Sequence, residues 1–397
     1  MRNLEKSMPV IRFKGFSEAW EQRKLGDIAN YRNGKAHEQV EDEGGKYTII
    51  NSKFISTNGK VQRYTNEQVE PIFDGEIAMV LSDLPNGKAL AKLFLVKEDG
   101  KYTLNQRIAG ITPNENIDPI FLNFRMNRNN YFLKFDSGVT QTNLSKSQVE
   151  NFIALYPTFD EQYKIGLFFT QLDDTIALHQ RKLDTLKQMK KGLLQQMFPK
   201  SEEDVPKIRF ADFAGEWEQR KAGNIFMTIS DKNHAHLPVL SASQELGMIR
   251  RDNIGIHIKY NEKSLKNYKL VKPGQFVIHL RSFQGGFAWS YITGITSPAY
   301  TILDFKEPQK NVSKFWKELL TSPIFIKRLE TITYGIRDGR SISFADFSTL
   351  KFSVPSVDEQ RKISTFFQQL DNNTTIQQNK LEKLISLKEA YLQKMFI

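Results

Sequence analysis

The side chains best suited to contact another molecule lie in short polar segments between apolar runs. Arg can bind guanine, and Asn or Gln can bind adenine, through paired hydrogen bonds in the DNA major groove, whereas Lys, Ser and Thr more often hold phosphates. We therefore predict a DNA-binding set in the first half, consisting of Asn51, Ser52, Lys53, Ser82, Asn86, Lys88, Gln106, Arg107, Gln141 and Thr142. The set predicted in the second half is Arg250, Arg251, Lys259, Arg281, Ser282, Gln284, Arg337 and Arg340.

Two of these polar segments differ strongly between the halves of the chain. Gly138 and Gly335 introduce loops of quite different polar content at equivalent places, so these loops are the first candidates for contacting different bases. For any single residue, the alternative is a solvated loop that binds nothing.

Motifs that would indicate catalysis are missing from the sequence. It contains no GxxxxGK[ST], HExxH, GxSxG or GxGxxG pattern and no Asn-Pro-Pro-aromatic motif of amino-methyltransferases. With no cysteine, disulfides, thiol catalysis, cysteine zinc sites and iron–sulfur clusters are excluded. His234 and His236 could in principle hold a metal, but two such histidines in a polar loop are more often unliganded. We expect no catalytic residue, metal or cofactor in this chain.

The composition is that of a folded, basic protein. The 397 residues are 40% hydrophobic and 25% charged, with 56 Lys and Arg against 45 Asp and Glu, a net charge of +11 and a pI near 9.4. This excludes wholesale disorder and favours a polyanionic partner, with an incidentally basic soluble protein as the alternative. Because neither a secretory signal nor an apolar run of spanning length is visible, we expect a cytoplasmic protein without membrane contact.

The elements that must position the polar segments are duplicated. Residues 9–28 match 206–225 at 12 of 20 positions, and residues 157–198 match 355–396 at 20 of 42 positions. The offsets are 197 and 198 residues, so one period covers nearly half of the chain. The sequence therefore predicts a tandem duplication.

The segments between the repeated blocks, 30–155 and 228–353, have diverged. Strands are predicted for the runs YTIIN, FISTNGKV, IAMVL, KLFLV and RIAGIT in the first segment and LPVLSA, FVIHL, AWSYIT and AYTILDF in the second. Helices are predicted around 118–135 and 311–332. Each half is thus expected to be an α+β globule, and two divergent globules on one shared frame suggest two different ligands.

The second repeated block has the heptad rhythm of a coiled coil. Alternating steps of four and three residues place a seam at Ile165, Phe169, Leu172, Ile176, His179, Leu183, Leu186, Lys190, Leu193 and Met197. The second copy has Ile363, Phe367, Leu370, Thr374, Gln377, Leu381, Leu384, Lys388, Tyr391 and Met395. We predict helices at 160–198 and 358–396, N-capped by Asp160 and Asp358, each about 58 Å long.

If the two helices pair antiparallel, their polar seam residues would fix the register of pairing. These residues are His179, Lys190, Thr374, Gln377 and Lys388. Apolar residues off the seam widen the stripe and suggest contact with another protein; they are Leu178, Met189, Leu194, Ile376, Leu387 and Leu392.

The predicted fold class is α+β: a tandem duplication with two globular domains separated by two long antiparallel coiled-coil helices and related by pseudo-two-fold symmetry. The expected domains are 1–158 and 201–354, followed by helical segments at 159–200 and 355–397.

The sequence resembles the specificity subunits of Type I restriction–modification systems over nearly its whole length. The resemblance rests on the paired IRF…F…WEQRK-x-G blocks, the paired P-x2-DEQ-x-KI-x2-FF-x-QLD segments and the helix ends QQMF and QKMF. It implies a non-catalytic subunit in which two target-recognition domains each contact one half of a split, asymmetric double-stranded DNA site. It also implies that the helices set the gap between the half-sites.

The resemblance further implies partners for this chain. Two modification subunits, which bind S-adenosylmethionine and methylate adenine, would dock on the helices, and restriction subunits using ATP and Mg²⁺ would join them. The helix residues predicted to bind partners are Leu172, Leu183, Leu186, Met197, Leu370, Leu381, Leu384 and Met395.

Two other functions stay open at this point. One is a duplicated protein-interaction scaffold with incidental basic charge, which would bind DNA weakly and without salt dependence. The other is a self-contained nuclease or methyltransferase with unfamiliar motifs, which would act without a partner.

Overall fold

The computed structural model describes residues 8–37, 39–85, 87–199, 205–243, 246–254, 262–278, 287–331 and 342–396. The chain forms two compact units. Unit 1 contains residues 1–180 together with 380–397, and unit 2 contains residues 181–379. Each half of the sequence therefore supplies the globular part of one unit, and the end of its helix belongs to the other unit.

The strands of unit 1 are short, and most of them pair antiparallel. They are β1 (Glu21–Lys24), β2 (Ala29–Asn33), β3 (Tyr47–Ile50), β4 (Tyr64–Thr65), β5 (Pro71–Ile72), β6 (Ile77–Val80), β7 (Ser82–Asp83), β8 (Leu93–Leu95), β9 (Tyr102–Leu104), β10 (Ile108–Pro113), β11 (Thr142–Asn143) and β12 (Ile153–Tyr156). One sheet has the order β2-β10-β6-β8, and a second has the order β4-β3-β9-β5 with β3 and β9 parallel. The pairs β1-β12 and β7-β11 complete the unit.

The helices of unit 1 that precede the long helix have at most eight residues each. They are α1 (Leu25–Ile28), α2 (Ser52–Ser56), α3 (Pro119–Met126), α4 (Asn130–Leu133) and α5 (Lys146–Glu150). Two of them correct the sequence prediction. The run FISTNGKV begins in α2 and is not a strand, because the Asn51 side chain caps a helical turn there. The helix expected around 118–135 is broken between α3 and α4, where Arg128 has a φ of 49°.

Strand β6 shows why the first sheet forms the centre of unit 1. All four of its residues are buried, and they alternate between two cores. Ile77 and Met79 face the core that contains Trp20 and Phe121, whereas Ala78 and Val80 face the core beneath the second sheet. A strand covered on both faces is a continuous apolar run, which matches the predicted strand IAMVL.

Unit 2 repeats the central sheet of unit 1. Its strands are β13 (Glu218–Lys221), β14 (Phe226–Ile229), β15 (Leu240–Ser243), β16 (Gly247–Arg250), β17 (Lys269–Val271), β18 (Phe276–Ile278), β19 (Ala288–Trp289), β20 (Gly294–Thr296), β21 (Thr301–Phe305) and β22 (Lys351–Val354). The order β14-β21-β18-β19 corresponds to β2-β10-β6-β8, and β13-β22 corresponds to β1-β12. The remaining strands form the pairs β15-β16 and β17-β20, so the second layer differs between the units.

The short helices of unit 2 are α7 (Ala222–Ile225), α8 (Ser313–Leu320), α9 (Pro323–Thr331) and α10 (Phe344–Thr349). The helix predicted around 311–332 is therefore two helices, and Pro323 begins the second of them. Proline favours a first helical turn because it has no backbone N–H to leave unpaired. The mixture of short strands and helices in both units confirms the predicted α+β class.

Two long helices confirm the heptad prediction. They are α6 (Phe159–Gln196, 38 residues) and α11 (Val357–Met395, 39 residues). All ten predicted seam positions are buried or half-buried in each helix. No helix in the described ranges is long and apolar enough to cross a membrane.

The predicted N-caps of the long helices are wrong. Asp160 and Asp358 lie inside the first turn, where their negative charge still favours the positive end of the helix dipole. In the second copy, the Ser356 hydroxyl accepts a hydrogen bond from the Glu359 N–H at 3.3 Å, which is the capping contact.

Within each unit, segments of the two long helices run antiparallel. In unit 1, Lys388 Nζ lies 2.5 Å from an Asp173 carboxylate oxygen, and Tyr391 packs edge-on against Phe168. In unit 2, Lys190 Nζ lies 2.6 Å from an Asp371 carboxylate oxygen. The predicted seam lysines therefore form ion pairs between helices at equivalent heptad positions, as expected of register-setting residues.

One ion pair in each half joins residues that the two repeated blocks share. Arg12 forms two hydrogen bonds of 2.7 Å with Glu161, and Arg209 forms two of the same length with Glu359. Both carboxylates are fully buried. Each pair joins the beginning of a half to the first turn of its long helix, so IRF and DEQ are two parts of one contact.

The glutamine of each DEQ sequence forms a second such junction. Gln162 accepts a hydrogen bond from the Asp118 N–H and donates one to the Pro157 carbonyl. Gln360 does the same with Val312 and Pro355. The beginning of α3 is therefore structurally equivalent to the beginning of α8.

Candidate nucleic-acid interface

Four chain segments of unit 1 meet where its strands end. The Asn105 N–H donates to the Ile50 carbonyl at 3.0 Å, which joins the end of β9 to the end of β3. The Leu81 N–H donates to the Arg107 carbonyl at 2.9 Å, which joins the end of β6 to the beginning of β10. The short pair β7-β11 then brings residues 141–143 beside 81–83. We call residues 51–53, 81–83, 105–107 and 141–143 the polar edge.

The polar edge brings together most of the DNA-binding set predicted for the first half. Lys53, Gln106, Arg107 and Gln141 are exposed on it. Arg107 has a φ of 71°, a left-handed conformation that is uncommon outside glycine and accompanies the tight turn between β9 and β10. These side chains supply two cations and two amides on one surface.

Gln141 is held in place by a side chain beneath it. Its amide N–H donates to the Ser82 hydroxyl at 2.7 Å, and Ser82 is buried. Thr142 is also buried and donates to the Asp136 carboxylate at 3.2 Å. Ser82 and Thr142 thus lie below the exposed side chains, whereas Gln141 presents its remaining amide groups outward.

Asn51 and Ser52 have a local structural task. The Asn51 side-chain Oδ1 accepts a hydrogen bond from the Phe54 N–H at 2.8 Å and caps helix α2. Ser52, the first residue of that helix, is half-buried. Of this predicted trio, only Lys53 is exposed.

Asp83, the last residue of β7, organises the loop that follows it, a role that the sequence analysis did not predict. Its carboxylate accepts hydrogen bonds from the N–H groups of Leu84, Ala89 and Leu90 at 2.9, 2.6 and 3.0 Å. A Cβ on Gly87 would lie 2.2 Å from that carboxylate, so the loop closes too tightly for a larger residue. An aspartate a few residues before a glycine is the signal that could have predicted this turn. Lys88 is exposed on the loop, and Asn86 lies outside the described residues.

A charged cluster ties the two sheets of unit 1 together. Arg32 contacts Glu76 at 2.6 Å and Glu70 at 3.2 Å, and Glu70 also pairs with Lys35 at 3.1 Å. Burial opposes ionisation of Glu76, but hydrogen bonds from Arg32 and Thr112 outweigh it and hold the pKa of Glu76 below its ordinary value. The hydrogen bond to Glu76 and the negative charges of Glu76 and Glu70 raise the pKa of Arg32 against the effect of burial. Sequence analysis missed this cluster because its members come from segments that lie far apart in the chain.

The second predicted set is only partly described. Arg250 is exposed at the end of β16, where it pairs with Leu240 of β15. Arg251 follows it and donates from Nε to the Ser241 hydroxyl at 3.1 Å. The other members, Lys259, Arg281, Ser282, Gln284, Arg337 and Arg340, lie outside the described residues.

The eight helix residues predicted to bind partners lie in the seam between the helices. Leu183, Met197, Leu370, Leu381 and Met395 are at most 5% exposed, and Leu172, Leu186 and Leu384 are half-buried. Side chains packed within their own chain have little surface left for another protein, and partner contact by these eight residues stays a prediction.

The apolar residues off the seam offer more surface. Leu178, Met189, Ile376 and Leu387 are between 43% and 54% exposed, as expected for contact with another protein. Leu194 is buried in the core of unit 2, so its expected exposure is wrong, and Leu392 is half-buried.

His234 has a simpler role than metal binding. Its Nε2 lies 2.8 Å from the Asp231 carboxylate. Among the residues that the structure describes, no group of three or more His, Asp or Glu side chains could hold a metal ion.

The chain repeats an α+β unit that is followed by a long helix, and the exposed cations and amides of the polar edge are groups that suit a nucleic-acid ligand. The family model described as Type I restriction modification DNA specificity domain matches residues 17–188 and again residues 216–386. The chain belongs to this family. The two matches follow the two halves of the duplication.

Curated relatives agree with this assignment, and solved structures have a similar fold. The chain is 23% identical to the Type I restriction enzyme MjaVIII specificity subunit of Methanocaldococcus jannaschii, over 94% of this chain and 91% of the relative. It is 22% identical to the putative MjaX specificity subunit of the same organism, over 94% and 92%. The S subunit structure from M. genitalium has a TM-score of 0.61 at 14% identity and covers 98% of this chain and 99% of its own.

A second solved structure has a similar fold. It comes from work on complex assembly and conformational transition of the type I restriction–modification system, and it has a TM-score of 0.56 at 16% identity. It covers 95% of this chain and 97% of its own.

Proposed function

We propose that this chain is the DNA-recognition subunit of a Type I restriction–modification complex. Each half contacts one half of a bipartite, asymmetric DNA site, residues 30–155 the first and 228–353 the second. The observation that carries this proposal is the polar edge of unit 1. It lies beside a central sheet whose strand order unit 2 repeats, whereas the remaining strands pair differently in the two units. A shared central sheet with different surrounding strands suits a site whose halves differ.

The chemistry of the polar edge suits DNA. Arg107 and Gln141 have the groups that bind guanine and adenine edges, and Lys53 and Lys88 have the single charges that hold phosphates. The net charge of +11 gives the whole chain an attraction for a polyanion. Phosphate contacts would position the DNA, and the amide and guanidinium contacts would select its sequence.

The partners follow from the same proposal. Two modification subunits bind the long helices through exposed apolar residues such as Leu178, Met189, Ile376 and Leu387, and the helices set the gap between the half-sites. S-adenosylmethionine belongs to the modification subunits, and ATP and Mg²⁺ belong to the restriction subunits. This chain then supplies specificity, and adenine methylation occurs on its partners. A complex of this kind works on DNA in the cytoplasm.

The experiment that tests this function is an exchange of recognition segments. Residues 30–155 are replaced by the corresponding segment of a relative, and methylated sites are mapped across the genome of cells that make the chimaera with its modification subunit. The expected result is a new first half-site, with the second half-site and the gap retained. The matched control replaces 228–353 and should change the second half-site alone.

Other outcomes would contradict the proposal. A change in both half-sites after one exchange would show that the segments do not act separately. Weak, salt-insensitive DNA binding by the chain with its modification subunit would favour the scaffold alternative. Methylation by the purified chain alone would favour a self-contained methyltransferase.

A further inference from the structure

Unit 2 contains a cavity between its long-helix segments and its globular part. It has a volume of about 830 Å³ and lies among α6, α8, α11 and β19. Its apolar lining includes Leu194, Phe287 and Ile326, and its polar lining includes Lys187 and Lys191. The cavity therefore combines an apolar floor with a basic rim, which is the composition of a site for a molecule with both characters.

Four charged side chains fix the middle of the cavity. Lys190 lies 2.6 Å from Asp371 and 3.1 Å from Glu318, and Lys317 lies 3.0 Å from Glu318 and 3.5 Å from Asp371. Burial lowers the pKa of Lys317, but the two carboxylates outweigh it, and the net pKa is raised. Two cations and two anions thus neutralise one another and hold their elements together.

Lys187 and Lys191 add positive charge that this cluster does not balance. Both are exposed residues of α6, and no ion pair links either of them to an acidic side chain in the described ranges. They stand one helical turn apart on the rim. The cavity therefore carries two cations that a negatively charged partner could neutralise.

The aromatic wall of the cavity is already in place. Trp289 donates from Nε1 to the Ser313 hydroxyl at 2.8 Å, and Ser313 donates to the Gly274 carbonyl at 2.6 Å. Lys317 Nζ lies 5.9 Å from the centre of the Trp289 ring. A wall fixed by hydrogen bonds does not have to be ordered when a ligand binds, and this lowers the entropic cost of binding.

Unit 1 lacks this arrangement at equivalent positions. When α6 and α11 are aligned at one repeat length, Lys187 corresponds to Ile385 and Lys191 corresponds to Glu389. Because α3 and α8 are equivalent, Phe124 of unit 1 takes the place of Glu318 of unit 2. Lys388, the equivalent of Lys190, therefore has an aromatic ring beside it, and its Nζ lies 5.2 Å from the Phe124 ring centre. Only the ion pair between the helices is common to both units, so the basic rim is a feature of unit 2.

We propose that this cavity binds an acidic, partly apolar segment of one modification subunit, so that the two halves of the chain bind their modification subunits unequally. This inference rests on the proposed function. Carboxylates of the segment pair with Lys187 and Lys191, and an aliphatic or aromatic side chain fills the floor beside Phe287 and Trp289. A DNA backbone fits less well, because phosphates need no apolar floor and a duplex is too wide to enter a cavity of this size.

The test compares the affinities of the two modification subunits for the full-length chain, by titration followed with native mass spectrometry. For the unaltered chain we expect two unequal sites, of which the tighter one weakens with salt. The double substitution Lys187→Glu and Lys191→Glu should weaken the tighter site by about tenfold or more through like-charge repulsion and leave the other unchanged.

Two further variants test whether the effect depends on the position of the charges. Lys232→Glu with Lys266→Glu makes the same change in net charge at exposed positions of unit 2 outside the cavity, and it should leave both affinities unchanged. Ile385→Lys with Glu389→Lys places the basic rim on unit 1 and should tighten the weaker site. Thermal unfolding of each variant checks that the substitutions at these exposed positions leave the fold intact.

The two proposals fail in different ways. If the unaltered chain binds no modification subunit, both proposals are overturned. If it binds two with equal affinity and the charge reversal at Lys187 and Lys191 changes neither, the cavity inference alone is overturned. If that reversal weakens DNA binding by the same factor without any modification subunit, the cavity holds phosphate and the inference is again wrong.

Discussion

Gln141 is the residue of the polar edge whose orientation is best determined, because Ser82 holds its amide from below. If Gln141 binds a base edge, Gln141→Ala should relax selectivity at one position of the first half-site by about 1–3 kcal/mol. Sequencing of methylated sites measures this change directly. Gln171→Ala, an exposed glutamine of α6, is the matched control and should change nothing. Uniform weakening at all positions would instead indicate a phosphate contact.

Arg12 and Glu161 test the junction between the repeated blocks. Removal of one partner from a buried ion pair leaves the other charge uncompensated, so Arg12→Ala should lower the stability of unit 1 by about 3–5 kcal/mol. Hydrogen exchange around the beginning of α6 should increase, which mass spectrometry can localise. Arg23→Ala removes an exposed pair with Glu21 and should cost less than about 1 kcal/mol. Equal losses of stability from the two substitutions would contradict the view that the pair of Arg12 and Glu161 is a buried, stabilising junction.

Glu76 makes unit 1 sensitive to acid. Because its pKa is lowered in the folded state, its contribution to stability is present above the ordinary carboxyl pKa of about 4.3 and is lost as the pH falls through the folded-state value. Glu76→Gln should therefore reduce stability at neutral pH and flatten its dependence on acid pH, as followed by hydrogen exchange in β6. Unit 2 has Gln275 at the equivalent place, bonded to Asp304, and should lack this contribution. If Glu76→Gln left the dependence of stability on acid pH unchanged, the assigned role of Glu76 would be contradicted.

At the scale of elements, the ends of the long helices close the cores. Met395, near the end of α11, is packed in the core of unit 1 with Phe121, and Phe396 stacks on Phe169. Met197, just beyond α6, is packed in the core of unit 2. The paired QQMF and QKMF sequences are therefore core residues, each supplied to the unit that the other half begins.

Matched substitutions at these helix ends should affect opposite units. Met395→Ala should destabilise unit 1, and Met197→Ala should destabilise unit 2, each by roughly 2–5 kcal/mol, because both side chains are 3% exposed. Hydrogen exchange resolved along the chain distinguishes the two outcomes. If Met395→Ala increased exchange in 205–331 and spared 20–156, the assignment of the helix ends would be wrong.

At the scale of the whole molecule, the surplus of positive charge should determine the salt dependence of DNA binding. Each phosphate contact contributes about 0.9 to the slope of log affinity against log salt concentration. The double change Lys53→Gln and Lys88→Gln should therefore reduce that slope by up to about 2 if both groups bind phosphates. The control makes the same change in charge at exposed positions of the long helices, with Lys182→Gln and Lys383→Gln. Equal losses from both variants would show a diffuse charge effect without a defined surface.

Features that depend on local spacing were predictable. The seam of α6 and α11 follows from apolar side chains repeating every three or four residues, because one face of a helix is defined by its own sequence. Strands such as β6 and β10 follow from short apolar runs between turn residues. The broken helices at Arg128 and Pro323 and the helical turn capped by Asn51 were missed, because a cap or a single left-handed residue decides them.

The sequence by itself determined the duplication, the two long helices, the α+β class and the excess of basic residues, since each is a matter of repetition, period or composition. Only the tertiary structure decided that Asn51, Ser82, Arg107 and Gln141 share one edge, and that Met395 belongs to the unit formed by the first half. Only the tertiary structure showed that the buried Ser82 hydroxyl accepts a hydrogen bond from the Gln141 amide. The physical reason is that these contacts join residues far apart in the chain through sheet register and core packing, which local patterns do not encode.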